Sequence, residues 1–278
     1  MILLTGCLAL QGRPDHLIDV DEDGFLEVDD CDDNDPTVFP GADEFCDGRQ
    51  TDCSVIWDED AGLASIHQDG AWYDATGWME GDGVLLDGDL ELHICEGTWR
   101  GKIRATAGDQ LVVGREAVLT GSARDVVAVQ EGPGTLTLSQ VTVAGGGGCL
   151  GSTLRVGHGT NCDAGAVSAV TGTMVLSGVT VEGGRERGLG TALVAGGSLE
   201  LRDGTTMGDS ESDAVWLIDG ELRCSGSTVG GYAGTGVRVF GDYDATSSDC
   251  AWDDPAVSDT DEVLWTEGDF SCDAAGCD

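Results

Sequence analysis

The chain has 278 residues, 45 of them Gly, and its 13 Lys and Arg face 52 Asp and Glu for a formal net charge of -39. That balance excludes duplex nucleic acid, which asks for a positive footprint, and makes an anionic membrane surface unattractive. Eleven Cys argue against an ordinary reducing compartment, and a 40% apolar fraction against a disordered acidic chain.

Residues 1–18 read as a lipoprotein-like leader and linker. Cys7 follows Met1, Ile2, Leu3, Leu4, Thr5 and Gly6, and Leu4-Thr5-Gly6-Cys7 resembles a bacterial lipobox. The resemblance implies that Cys7 becomes a lipidated first residue. The six residues ahead of it are fewer than a charged region plus a full apolar stretch need. With Cys7 set aside, ten Cys remain, enough for five disulfides. The expected location is the bacterial outer membrane, as a lipoprotein, or the extracellular space. No apolar run reaches the length of about eighteen residues that a spanning helix needs.

Residues 19–54 begin with DVDEDGFLEVDDCDDND, which holds eight Asp, two Glu and no basic residue. Asp19, Asp21, Asp23 and Gly24 fall at positions 1, 3, 5 and 6 of a calcium loop, where alternate carboxylates converge and Gly makes the sharp turn. Without a cation such a cluster repels itself. The expected calcium shell is the carboxylates of Asp19, Asp21, Asp23 and Asp30 with the carbonyl of Phe25. Asp32, Asn34 and Asp35 are candidates for a second ion. The donors are hard oxygens without His or Met, which favours Ca2+ over copper.

The stretch continues as CDDNDPTVFPGADEFCDGRQTDC, in which little can form a core, so ions and disulfides must hold it. Asp21, Asp23, Gly24, Asp30, Cys31, Asp32, Asp33, Asn34, Asp35, Pro36, Pro40, Gly41, Ala42, Glu44, Cys46, Asp47, Gly48, Asp52 and Cys53 carry a resemblance to the MopE-type metal-binding motif, which is similar in turn to the calcium repeats of thrombospondin type 3. The resemblance implies a secreted or surface protein of myxobacterial kind. Glu22 in the loop and Arg49, Gln50 and Thr51 before the final Asp depart from the pattern, and one copy is present.

Residues 55–83 do not repeat and are expected to cap the fold that follows. From Val84 the composition changes to short Val, Leu, Ile and Thr segments between Gly, Asp and Ser turns. GTLTLSQVTVAGG at 134, GTMVLSGVTVEGG at 172, GSLELRDGTTMG at 197 and GELRCSGSTVGG at 220 align, with starts 38, 25 and 23 residues apart. A second set comprises VVAV at 126, AVSAV at 166, ALVA at 192, AVWLI at 214 and GVRVF at 236. Alternating segments at this period suit the coils of a parallel β-helix, in which each coil buries its apolar face on the next. A β-sandwich and a propeller are the alternatives.

The expected class is therefore all-β, a right-handed parallel β-helix over 84–247 with a small Asp/Cys-rich calcium-binding N-terminal module and a disulfide-rich C-terminal cap over 248–278. The body also resembles the right-handed β-helix family of surface proteins and pectate-lyase-like enzymes.

Aligning the repeats predicts an inward ladder of Leu138, Leu176, Leu201 and Cys224, and a second of Val127, Val167, Leu193, Val215 and Val237. The 38-residue interval reads as a loop insertion from Gly145 to Cys162. Expected disulfides are Cys149 with Cys162, Cys224 with Cys250, and Cys272 with Cys277. Of Cys31, Cys46 and Cys53, one is expected to reach outside the motif, with Cys95 as its candidate. An inward Cys224 competes with its pairing to Cys250.

His16, His67, His93 and His158 have no zinc spacing, and Gly145–Gly148 lacks the Lys of a P-loop. No catalytic constellation is assigned. The expected function is a non-catalytic structural or adhesive protein, cell-surface or secreted, whose partner is a glycan, extracellular matrix or a surface protein. The alternative is a polysaccharide lyase or hydrolase, with Arg202, Arg223, Arg238, Asp203 and Asp213 on adjacent coils. Enzymes of that kind should show a groove with three or more convergent charged residues.

Overall fold

The computed structural model describes residues 18–54, 63–79, 83–120, 127–144, 154–156, 172–182, 191–208, 213–218, 220–232, 236–240, 244–252 and 270–272. The chain divides into two compact units, Met1–Ala61 and Gly62–Asp278.

The first unit is built from turns. Glu22 and Gly24 both take positive φ, 66° and 105°, and curl the chain around the first acidic residues. A disulfide joins Cys31 to Cys53. Cys46, also disulfide-bonded, is buried, as is Val38, and Phe25 stacks on Phe39 with ring centroids 5.4 Å apart. The buried Glu44 acts as a second clamp. Its Oε1 accepts from the backbone N–H groups of Thr51 and Asp52, both at 2.6 Å, and from the Thr51 hydroxyl at 2.8 Å.

The second unit is a stack of coils with three sheets. The long sheet orders Ala71–Asp74, Ala64–Gln68, Leu90–Ile94, Gly108–Gly114, Gly134–Ser139, Gly172–Ser177, Ser198–Arg202, Glu221–Ser225, Asp244–Ser248 and Phe270–Cys272. A second sheet stacks Gly97–Arg100, Ala117–Thr120, Thr142–Ala144, Thr180–Glu182, Thr206–Gly208, Thr228–Val229 and Ala251–Trp252. The third stacks Gly83–Leu86, Lys102–Ala105, Ala128–Gln130, Leu154–Val156, Ala192–Ala195, Val215–Ile218 and Val237–Phe240. The chain visits the third, long and second sheets in turn, and every pairing between successive coils is parallel. This is a parallel β-helix. The ladders satisfy backbone groups from coil to coil while alternate side chains enter the interior.

Among the described residues, only the first two strands depart from that rule. Ala64–Gln68 pairs antiparallel with Leu90–Ile94, and Ala71–Asp74 folds back on it as a hairpin through Asp69 and Gly70. Together they cover the first coil of the long sheet, within the span expected to form the cap. At the other end, Ala251–Trp252 and Phe270–Cys272 extend the parallel ladders past residue 247.

The interior is the expected ladder. Leu138 pairs with Leu176, Leu176 with Leu201 and Leu201 with Cys224, and all four are buried. Val112 and Leu92 continue it toward the cap. One pleat away, Leu90, Gln110, Leu136, Met174, Leu199 and Leu222 form a parallel column. Each fully buried Leu stabilises by about 2 kcal/mol through removal from water.

The second expected ladder is corrected. Val215 does pair with Val237, but its partner on the preceding coil is Ala192, while Leu193 faces Trp216. The alignment is one residue out there, and a one-residue slip exchanges the two faces of a strand. The coil before Ala192 is carried by Leu154–Val156, which pairs with Ala128–Gln130 on its other side. The 38-residue interval therefore contains a strand of the third sheet rather than a loop alone. Val167 lies outside the described residues.

Cys224 is 3% exposed and in the ladder, and it is also bonded to Cys250. The two expectations for that residue are both met, because Cys250 is itself buried and the bridge lies within the core. Cys95 is disulfide-bonded as well. Cys7, and the expected pairings Cys149 with Cys162 and Cys272 with Cys277, fall on side chains outside those described.

Candidate metal centre

The loop from Asp19 is shaped by its own carboxylates. Asp19 accepts the N–H groups of Glu22 at 2.7 Å and Gly24 at 3.1 Å. Asp21 accepts from Asp23 N–H at 3.3 Å and Asp23 from Phe25 N–H at 2.8 Å. Each short Asp side chain thus closes a local turn and holds the next carboxylate. The chain returns through Asp29 and Asp30, whose N–H groups both donate to Leu26 carbonyl. Asp30 accepts Asp32 N–H at 3.0 Å, and Asp33 accepts Val20 N–H at 3.1 Å.

These turns bring Asp21, Asp23 and Asp30 together, with one carboxylate oxygen from each lying within 4.8 Å of the others. Asp19, Asp21 and Asp33 form an overlapping group by the same measure. The second oxygens of Asp21, Asp23 and Asp30 are shielded from solvent and accept no hydrogen bond. A shielded carboxylate oxygen without a donor is costly, and three close together are costlier. Loss of hydration is the main cause that pushes Asp21 above the usual carboxylate range. Its bond from Asp23 N–H opposes that, and the charges of Asp23, Asp30 and Asp33 add to it. A hard cation meets all of these demands at once.

The expected shell is placed as follows. Asp19, Asp21, Asp23 and Asp30 are in the two overlapping groups. Phe25 follows directly, its ring on Phe39 and its N–H on Asp23. Asp32, Asn34 and Asp35 are in neither group. The Asp32 carbonyl accepts the N–H groups of Asn34 and Asp35 in a tight turn. Asp35 is engaged by the N–H and hydroxyl of Thr37 and by Arg49, which hold its carboxyl below the usual range. Asp33 was missed by spacing alone. No regular interval links it to the DxDxDG loop, and only the return of the chain to Val20 brings it in.

In the second unit, a shallow groove on the outer face of the long sheet gathers Asp69, Asp89, Glu91, Asp109 and Arg202, with His67 at one side. Asp89 and Asp109 are committed to the ladder, accepting the N–H groups of Asp109 and Thr135. Arg202 pairs with Asp203 at 3.4 Å. Arg223 is not in the groove. It bridges Glu221 and Glu200, which raise its pKa further. Asp213 is buried and accepts the Trp216 indole N–H. Arg238 lies in Val237–Phe240, and its side chain is outside those described.

A family model named for MopE copper binding, with the description "Putative metal-binding motif", matches residues 30–59. The match begins at Asp30 and takes in Cys31, Glu44, Cys46 and Cys53, while the Asp19–Gly24 loop lies just ahead of it. No curated protein and no solved structure matches the chain.

Proposed function

We propose that the protein is a non-catalytic structural or adhesive protein of the cell surface or the extracellular space, whose N-terminal module is ordered by Ca2+. One observation carries the metal reading: the solvent-shielded, undonated oxygens of Asp21, Asp23 and Asp30. Asp19 and Asp33 complete an all-oxygen set, which suits calcium better than copper. Attachment through Cys7 would hold the module near the surface. The rigid body would then present its lateral faces to a glycan, the matrix or another surface protein. Calorimetric titration of the chelated protein tests this. Calcium should bind with a measurable heat and copper should not compete, whereas a flat calcium isotherm beside tight copper binding would overturn it.

A second reading is favoured by the groove. Five charged side chains converge there, as a polysaccharide lyase or hydrolase would require. Against it stand the commitment of Asp89 and Asp109 to backbone N–H groups and the pairing of Arg202 with Asp203. Release of unsaturated product from a uronate polysaccharide, abolished in Arg202→Ala, would establish the enzyme and displace the structural role.

A further inference from the structure

We infer that Asp30, Cys31 and Cys53 form a second metal site, one that takes a thiophilic divalent cation of the zinc class once the Cys31–Cys53 disulfide is reduced. A carboxylate oxygen of Asp30 and the sulfurs of Cys31 and Cys53 all lie within 4.8 Å of one another. The two Cα atoms are 5.7 Å apart. Zinc–sulfur bonds of about 2.3 Å in a tetrahedral site set two thiolates about 3.8 Å apart, so opening the bridge asks for side-chain rotation rather than a rebuilt loop. Asp30 supplies the third donor. Its Oδ1 is used by Asp32 N–H, and its Oδ2 has no hydrogen-bond partner.

Access separates this bridge from Cys224–Cys250. Cys31 is exposed and Cys53 half-buried, whereas Cys224 and Cys250 are 3% and 5% exposed. A reductant therefore reaches Cys31–Cys53 before Cys224–Cys250. The chemistry balances with a dithiol as co-reactant. Its two electrons break the S–S bond, its two protons leave Cys31 and Cys53 as thiols, and it ends as its own disulfide. Binding of the cation then releases two protons from the thiols to solvent and forms two metal–sulfur bonds.

Asp30 also belongs to the Asp21–Asp23–Asp30 group, so the inference rests in part on the calcium reading. Asp30 thus belongs both to a carboxylate group and to the group with the sulfur pair. Reduction would shift the module from a hard cation toward a soft one.

The test is anaerobic titration of the full chain with Cd2+, before and after reduction by a water-soluble phosphine, which ends as the phosphine oxide. Reduced protein should develop a thiolate-to-metal charge-transfer band that saturates at one equivalent, and oxidised protein should not. Cys31→Ser and Cys53→Ser should each lose the band. Asp30→Asn should keep it with at least tenfold weaker Cd2+ binding. Amide protection of the coil strands in each variant shows that the body is intact. A band that survives in the Cys31→Ser/Cys53→Ser double variant would mean other thiols carry it, and would overturn the site. So would its absence from the reduced wild-type chain, or unchanged affinity in Asp30→Asn. A flat calcium isotherm for the oxidised protein, with the Cd2+ band present, would defeat the calcium reading and leave the thiolate site standing.

Discussion

Asp21 is the residue on which the acidic loop turns, because it belongs to both carboxylate groups. Asp21→Asn should weaken calcium binding at least tenfold by calorimetry, while Asp35→Asn, whose carboxyl is taken by Arg49 and Thr37, should change it little. The two residues also shape the acid response of the chelated protein in opposite ways. Asp21 is held above its ordinary value of 3.8, so the folded module binds more protons than the unfolded chain just above that pH. Its stability should fall as pH rises through that window, and calcium should remove the loss. Asp35 is held below 3.8, so its contribution is present above that value and disappears as pH falls through its lower folded value. Fluorescence-monitored denaturation of the chelated protein across the acid range checks both slopes, and Asp21→Asn should flatten the upper one alone. Much of this site was legible beforehand. Asp19, Asp21, Asp23 and Gly24 announce themselves by spacing, since each carboxylate caps a turn within a few residues. Asp33 did not, because its place depends on where the chain returns, which no local interval encodes.

At the level of strands, the columns of the long sheet are the strongest claim and the easiest to break. Leu176 is fully buried between Leu138 and Leu201, and Leu176→Ala should cost about 2–5 kcal/mol in chemical denaturation. Glu200→Ala, on the outward face of the neighbouring strand, should cost under about 1 kcal/mol, since it forfeits a half-exposed pairing with Arg223. Gly134 opens its strand at φ 121°, and a Cβ there would meet the Gly108 carbonyl one coil away. Gly134→Ala should therefore destabilise although it adds a single methyl. The GxLxLxxxTV phrase made these strands readable, because three apolar positions at fixed offsets pin the register. The third sheet was read less well. Its strands are three or four residues long, and Ala192–Ala195 is buried throughout with no polar alternate, so nothing in ALVA distinguishes Ala192 from Leu193. The strand Leu154–Val156 was hidden for a related reason. Between a run of Gly and a Cys, LRV has too few residues to show a period.

For the whole molecule, two kinds of reinforcement are kept apart in the sequence. Carboxylates and the exposed Cys31 bridge serve the first unit, and stacked aliphatic columns with the Cys224–Cys250 bridge serve the second. With the proposed calcium site, calcium at a hundredfold excess over its dissociation constant should add about 2.7 kcal/mol to the first unit. Hydrogen exchange should show that gain within residues 18–54 and leave the protection of strands such as Gly134–Ser139 unchanged. Replacing Cys224 and Cys250 together by Ser should lower the stability of the coils by about 3 kcal/mol, as expected for a bridge that closes 26 residues. The hairpin of Ala64–Gln68 and Ala71–Asp74 has a different kind of consequence. Among the described residues it is the one place where strand direction reverses, so it gives the stack a fixed origin. Every later coil meets its neighbours through the same parallel register, and corner lengths already vary from coil to coil. A duplicated coil could therefore be spliced in between that origin and the Cys224–Cys250 bridge without disturbing what lies before it. The length of such a protein is free to drift over generations, and selection can set its reach by counting repeats rather than by redesigning a core.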